Sequence, residues 1–461
     1  MGLRARMSDE RGQTALSILL MTLGVFIFAA LALDAGLWYF HHRTVQNQAD
    51  AAAHAAVLNL PESTAEATAS AIAWLKQNGV PDPVADAAEV GTGTDCGDMA
   101  IASGQDGRAK ILFSDANNAV KVCLRMRSGV FLSGLAGITE AIVSASAKAR
   151  VQVIPSPYSL MSMYPGGCLP QAEFWATGSG AGVRVTGGGS TYTDSSCCPN
   201  ALSATGGGVI ESGGNDVPNG CGQGSGITPP PNTEAEDLDD PFAQLQDPPV
   251  SGINSMPCRT QDASGQPIPN TINSGTWELL PGRYCTGLKA SNNPTIRLRP
   301  GIYIMQGDLE LGSNVNFTSD LNSNGTLEST EEVLIYATCN PHPCGTAVCS
   351  PSGSVAPRLQ FPGQAMLWLR GHSSYERILI WVDRTSRYFS TVSLSGGATG
   401  RLDGRLYALC SFVDFTGSST GNLTVNMSMV AGTFKFSGNG LVSIPYDPIL
   451  APPLRIIALV E

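Results

Sequence analysis

The residues best spaced for chemistry run from Asp320 to Glu331, DLNSNGTLESTE. Oxygen-bearing side chains stand at positions one, three, five and twelve (Asp320, Asn322, Asn324 and Glu331). Thr326 and Glu328 lie between them, and Gly325 is at position six. Ca²⁺ takes about six to eight hard oxygen ligands, and a glycine at the sixth position permits the turn that gathers them. The spacing makes Asp320, Asn322, Asn324, Thr326, Glu328 and Glu331 candidate calcium ligands in a structural role. The competing reading is a solvated Asn/Gly loop between two strands, because no helices flank it and asparagine at two ligand positions lowers the charge.

Two further groups come next. Cys339, His342, Cys344 and Cys349 form a Cys/His cluster with the donor set of a tetrahedral zinc site. Among other cysteines and in an oxidising compartment, disulfides closing a Pro/Gly loop are the favoured reading. Glu376, Asp383 and Arg384 surround the apolar run Ile378 to Val382. A carboxylate base with a charge-stabilising arginine is the equipment of a polysaccharide lyase or hydrolase. An Asp383–Arg384 ion pair at a strand corner is the simpler reading. No nucleophile elbow, phosphate loop or HExxH motif occurs, so the chain reads as a non-enzyme.

The elements that position these residues begin with Ala15 to Leu33, ALSILLMTLGVFIFAALAL, which is uncharged and overwhelmingly apolar. As a helix its residues span roughly 28 Å, close to the ~30 Å hydrocarbon core of a bilayer. Arg4, Arg6 and Arg11 precede it, and only Arg43 follows in the next thirty or so residues. The positive-inside rule then keeps the N-terminus in the cytoplasm and exports the rest, as a single-pass protein of the cytoplasmic membrane. The alternative is a cleaved signal peptide with Ala30-Leu31-Ala32 at the cut. The length of the run and the helical sequence continuing to about Leu60 favour a retained anchor.

Composition agrees with an exported, strand-rich chain. Of 461 residues, 52 are Gly, 30 are Pro and only 14% are charged, which points to short strands joined by turns. A net charge of −11 argues against a nucleic-acid partner. All 12 cysteines lie beyond the anchor, an even number that fits disulfides, with Cys96 and Cys123 as a local candidate pair.

Along the chain, residues 1–14 form the cytoplasmic N-terminus, and residues 15–153 the anchor with a small α+β module. After the anchor the helix turns amphipathic, with Trp38 and Tyr39 at an interfacial belt. The small residues of Ala49 to Ala56 suit either another helix or the core of the same module. Pro61 stops this helix, and Glu62 to Gln77 makes a second. Ala109–Phe113, Ala119–Met126 and Ala141–Val153 read as strands, with a helix-like stretch from Val130 to Gly137.

The segment RGQTALSILLMTLGVFIFAALALDAGLWYFHHRTVQNQADAAAHAAVLNL resembles the N-terminal region of TadG-like (TadE/TadG-type) proteins, which accompany the Flp, or tight adherence, pilus system. The matching positions are Gly12 and Gln13 before the apolar run, Asp34 and Gly36 at its end, then Tyr39, Arg43, Gln46 and the run from Ala49 through Asp50 to Ala52. Val120 to Val151 resembles the end of the same module. The resemblance implies a pilin-like helix with a small sheet, and partners among pilus-assembly or pseudopilin subunits in the lipid bilayer. Related pseudopilins carry Glu five residues after the processing glycine. Here that position is Ser17, which favours an unprocessed anchor.

Residues 154–227 form a Gly-rich β region, 228–250 a Pro- and acid-rich linker or excursion, and 251–461 a second β region. Leu280-Pro-Gly-Arg-Tyr284 recurs as Arg299-Pro-Gly-Ile-Tyr303, about nineteen residues on. That period is near one coil of a solenoid. The expected fold is α+β and mainly β: a membrane helix with a small sheet, then a right-handed parallel β-helix, with an irregular β-sandwich as the alternative. The expected function is a membrane-anchored pilus-assembly or pilus-anchoring protein with a rigid exported β domain. Binding to a polysaccharide or other surface ligand would use the long flat flank of the solenoid; the rivals are a surface adhesin and a polysaccharide-acting enzyme, the latter marked by carboxylates converging in a groove.

Overall fold

The computed structural model describes the chain apart from residues 1–2, 61–62, 130–139, 166–172, 197, 199–200, 219, 249–251, 389, 396, 419–422 and 461. It divides into two compact units, Met1–Ile154 with Arg455–Glu461, and Pro155–Leu454. The helix-like stretch expected at Val130 to Gly137 and the Pro61 helix stop lie outside the described residues.

The first unit opens on one long helix, α1 (Leu3–Val57), followed by α2 (Thr64–Gln77) and α3 (Asp82–Asp86). The Ser63 side chain caps α2 by accepting from the Glu66 N–H at 3.1 Å, which satisfies a donor that the helix start leaves orphaned. Four strands follow, β1 (Glu89–Thr92), β2 (Gly107–Ser114), β3 (Ala119–Gly129) and β4 (Glu140–Pro155). The late segment Pro453–Leu459 joins them as a fifth strand beside β4. β2, β3 and β4 are antiparallel neighbours, whereas β1 runs parallel to β2. The second half of α1 and α2 cover one face of this sheet, packing Ala49, Ala52, Ala53, Ala56, Ala67, Ala71 and Leu75 against Ile111, Val122 and Ala147. Alanine at these positions lets the helices come close, so the Ala-rich run forms the core of its own unit.

The second unit is built from parallel strands in stacked tiers. In stacking order, tier 1 is β14 (Thr276–Leu279), β15 (Gly282–Tyr284) and β16 (Leu288–Ala290), and tier 2 is β17 (Thr295–Leu298), β18 (Gly301–Met305) and β19 (Leu309–Leu311). Tier 3 is β20 (Asn316–Thr318), β21 (Glu332–Ala337) and β22 (Leu359–Phe361), and tier 4 is β23 (Met366–Gly371), β24 (Ile378–Val382) and β25 (Ser390–Ser395). Tiers 5 and 6 are single bent strands, β26 (Thr399–Ser418) and β27 (Leu423–Asn439). Each strand pairs in parallel with its counterpart in the next tier.

Chain order and stacking order then part. Tier 7, packed on β27, is the earlier segment β5 (Tyr158–Met163), β6 (Phe174–Thr177) and β7 (Gly182–Thr186). Tier 8 is β8 (Ser190–Asp194), β9 (Leu202–Thr205) and β10 (Val209–Glu211), and tier 9 is β11 (Asn215–Asp216), β12 (Gly222–Gln223) and β13 (Ile227–Thr228). The strand β28 (Leu441–Pro445), which follows β27 in the chain, pairs with β7 on the side opposite β10. The chain therefore builds tiers 7 to 9, crosses to the opposite end, and builds tiers 1 to 6 back toward its start. Tight stacking fixes some glycines. At Gly400, with φ at +113°, a Cβ would lie 2.0 Å from the Leu367 carbonyl oxygen of the tier below.

The crossing segment is the acid-rich stretch after Thr228. One outward column of side chains runs through all nine tiers in register: Arg283, Ile304, Tyr336, Trp381, Tyr407, Val430, Met161, Tyr192 and Asp216. Its seven central members, Ile304 to Tyr192, are all at most 1% exposed, because the crossing segment lies over them as a strap. Leu238, Phe242, Leu245, Ile253 and Met256 share a cluster with the column. The polar contacts follow the tiers in order: Asn232 to Asp216, Asp237 to Tyr192, Asp240 to Tyr407, Asp247 to Arg384, and the Asn254 and Met256 carbonyls to Arg283. A disulfide between Cys258 and Cys285 ties its far end down. The stretch expected as a linker or excursion is thus a seated strap, held by an apolar face that would otherwise meet water.

Candidate functional site

The loop at Asp320 to Glu331 uses its oxygens on itself. Asp320 accepts from the N–H groups of Asn324 and Gly325, at 3.3 and 2.9 Å. Asn324 Oδ1 accepts from the N–H and hydroxyl of Thr326, at 2.7 and 2.6 Å. Glu328 Oε1 accepts from the side-chain amides of Asn322 and Asn324. Glu331 accepts from the N–H groups of Leu321 and Glu328, both at 3.0 Å. A calcium site needs these lone pairs turned toward one point. Among the described residues, no three His, Cys, Asp or Glu side chains are gathered to hold a metal. In this arrangement Asx turns close an insertion between β20 and β21.

The cysteine cluster is covalently closed. Cys339 pairs with Cys344, and Cys349 with the distant Cys410, so no thiolate is left to coordinate zinc. His342, inside the smaller ring, faces the fully buried Asp383. Thr338 Oγ1 donates to Asp383 Oδ2 at 2.6 Å and lies 2.8 Å from His342 Nδ1. The Thr385 N–H and hydroxyl donate to Asp383 Oδ1 at 2.8 and 2.7 Å. Burial by itself would raise the Asp383 carboxyl, but the hydrogen bonds from His342, Thr338 and Thr385 outweigh it and lower the group to about 2.

The expected Asp383–Arg384 ion pair does not form. Successive residues at a strand end point opposite ways, so Arg384 turns outward to the strap. Its Nε donates to Asp247 at 2.9 Å, and its other nitrogens reach the carbonyls of Ala243 and Leu245. Its guanidinium lies 5.5 Å from both the Trp381 and Tyr407 rings. Glu376 is engaged elsewhere, with Arg405. The three residues grouped by sequence do not converge on one reacting point. Sequence reasoning missed the Arg384–Asp247 contact, for the partners are 137 residues apart. Acidic residues in a Pro-rich stretch were the available signal.

The remaining candidate is α1 itself. Its first half leaves large apolar side chains bare: Leu19 is 65% exposed, Phe26 69% and Phe28 76%. Its second half buries Ala49, Ala52, Ala53 and Ala56 completely. Gln46 closes the docked part by donating to Asp50 at 2.9 Å and to the Ser146 carbonyl of β4 at 3.0 Å. α1 is long and apolar enough to cross a membrane, and the window that qualifies has no side chain buried inside the protein. Such a helix fits a single-pass membrane anchor.

Residues 12–69 match the family model for putative Flp pilus-assembly TadE/G-like domains. The N-terminal region is TadE/G-like. Comparison with curated proteins gave no match, and comparison with solved structures gave none.

The TadE/G-like region takes in α1 from Gly12 onward and part of α2. Gly12, Asp34, Tyr39, Arg43, Gln46 and Asp50 all lie on α1. Among them Tyr39 and Arg43 are exposed, whereas Gln46, held by Asp50 on the same helix, fastens the helix to β4. Cys96 and Cys123 form a disulfide that secures the loop before β2 to β3.

Proposed function

We propose that this protein is a single-pass, membrane-anchored component of Flp-type pilus assembly, with its N-terminus in the cytoplasm and its β-rich domain exported. The carrying observation is the TadE/G-like match on the helix whose first half is apolar and bare. The orientation is supported by Arg4, Arg6 and Arg11 ahead of the span. Export is supported by disulfides at Cys96–Cys123, Cys198–Cys221, Cys258–Cys285, Cys339–Cys344 and Cys349–Cys410, which persist in oxidising compartments. The bare half of α1 takes lipid as its solvent, and its exposed Tyr39 and Arg43 are the positions available to other pilus-assembly subunits.

We read the tiered second unit as a parallel β-helix serving as a rigid outer domain. The support is the tier-to-tier parallel pairing, continuous from tier 1 to tier 9 along two of the three strand columns. No catalytic step is assigned to it, since Glu376, Asp383 and Arg384 are each tied to different partners. A second reading, adhesion, draws on another outward column, Glu278, Arg297, Thr318, Trp368, Arg401 and Thr424, with Trp368 half-buried among polar neighbours. Such a flank suits a polysaccharide or another surface ligand.

Gene deletion tests both readings. Loss of surface pili, counted by electron microscopy, is the expected result. Normal pili with lost surface attachment would transfer the function to the β-rich domain as an adhesin. Normal pili with normal attachment would end both readings.

A further inference from the structure

The flank formed by β25, the ends of β26 and β27, β6 and β9 carries a regular array that no role above uses. Val413 and Phe415 of β26 belong to the core, so Phe412, Asp414 and Thr416, which alternate with them, face outward. Parallel pairing carries this alternation from tier 4 to tier 8 and sorts the outward residues into two columns. One is Ser393, Asp414, Lys435, Trp175 and Ser203, and the other is Ser395, Thr416, Ser437, Thr177 and Thr205.

The second column is a ladder of hydroxyls with no other side chain among them. Neighbouring strands lie about 4.8 Å apart, so the hydroxyls recur at that interval along the stacking axis. The hydroxyl oxygens of Ser395 and Thr416 are 3.1 Å apart. For the hydroxyls of Ser437, Thr177 and Thr205 no partner occurs among the described residues. Ser395, Thr416 and Ser437 edge a cleft of about 190 Å³ whose apolar wall includes Leu394, Phe415 and Leu423.

The first column supplies different groups. Trp175 on tier 7 reaches back across tier 6 to Phe412 on tier 5, with ring centroids 5.1 Å apart and both rings half-buried. Asp414, beyond Phe412 on the same strand, has no hydrogen-bond partner at Oδ1, and its Oδ2 lies 4.0 Å from Lys435 Nζ. Lys435 is the one cation in the two columns.

A hydroxyl both donates and accepts, so a ladder of them matches a ligand that is itself a polyol. An aromatic face takes the apolar C–H side of a sugar ring, and a carboxylate short of donors takes sugar O–H groups. One lysine already facing a carboxylate leaves nothing to hold a polyanion. We infer that this flank binds a neutral polysaccharide laid along the stacking axis, with a sugar ring on Trp175 and Phe412 and sugar hydroxyls on Asp414 and the Ser/Thr ladder. The inference goes beyond the pilus-assembly reading and does not depend on it. Its surface is also separate from the Trp368 column.

The test is affinity electrophoresis of the full chain in a polyoxyethylene detergent, which carries no sugar. The gels contain hydroxyethylcellulose, laminarin or dextran, three neutral glucans of different linkage, or alginate as the anionic control. Retardation by at least one neutral glucan is expected, with none by alginate. Trp175→Ala should weaken that binding about tenfold. Thr416→Val, which removes one hydroxyl at nearly constant volume, should weaken it about threefold and carries the test if the tryptophan variant fails to fold. Trp368→Ala should leave it unchanged. Retardation by none of the neutral glucans, equal or stronger retardation by alginate, native binding in Thr416→Val, or loss of binding in Trp368→Ala would overturn the site.

Discussion

Two apolar surfaces of this protein have opposite fates. The first half of α1 leaves leucine and phenylalanine bare, whereas the outward column from Ile304 to Tyr192 is sealed by the strap. Both are too apolar to face water, and each has a different remedy. A helix satisfies its own backbone hydrogen bonds and can be left for lipid to cover. The hydroxyls of Tyr192 and Tyr407 and the guanidinium of Arg384 on the sheet face need hydrogen-bond partners, and the strap supplies them as Asp237, Asp240 and Asp247. What covers a surface thus depends on whether its polar groups are already satisfied.

The comparison breaks most visibly in α1. Leu23→Asp with Phe26→Asp places two charges near mid-span, each costing about 2.5–3.5 kcal/mol at a helix centre. The double variant should leave alkali-washed membrane pellets, and retention there would show that lipid is not the covering of this half. On the sealed surface, Phe242→Ala removes the strap ring that sits 5.4 Å from Tyr407. It should lower the stability of the second unit by about 3 kcal/mol and raise binding of a hydrophobic dye. Phe28→Ala, in the bare half, should change neither denaturant midpoint.

The polar border of the sealed surface gives a smaller effect with a definite sign. Asp383 is held below its ordinary range, so its contribution is present above about pH 4 and is lost as pH falls toward 2. The loss should be on the order of 2 kcal/mol in acid titration of the second unit, and Asp383→Asn should flatten that limb. The smallest effect contrasts the two halves of α1. Ala52→Leu overpacks a fully buried site and should destabilise the first unit by about 1 kcal/mol or somewhat more. Ala29→Leu on the exposed half should leave thermal unfolding unchanged.

Much of the first unit is legible residue by residue. The amphipathic stretch expected as a helix from Glu62 to Gln77 is α2, Thr64–Gln77, and the alternation in Ala109–Phe113 marks a strand that the structure extends to Gly107–Ser114. The second unit is less so. Thr276 and Thr295, nineteen residues apart, are register partners, but Arg283 pairs with Ile304, twenty-one residues on. The two-residue difference lies at the start of β18, where Gly301 and Ile302 precede the residues paired with β15, so the repeated Pro-Gly motif is not in register with itself. Insertions such as the one from Ser319 to Glu331 then stretch the interval between partners, and the period disappears from the sequence. The grouping of the candidate residues depends on the same kind of information. Side-chain spacing specifies which oxygens could meet, but at Asp320 and Glu331 the nearest donors are the loop's own N–H groups.

By itself, the sequence determined the apolar helix, its arginine-flanked start, the TadE/G-like positions on it and the strand-rich character of the chain beyond it. These are set by local composition and by periodicity within a few turns or a few strand residues. Only the tertiary structure decided that residues 155–228 stack on the last tiers instead of preceding the first, and that the acid-rich stretch between them is a strap. Those outcomes rest on contacts such as Tyr407 with Asp240, 167 residues apart. A contact of that range is chosen by which surfaces remain uncovered after the rest of the chain has folded, and no local pattern encodes that.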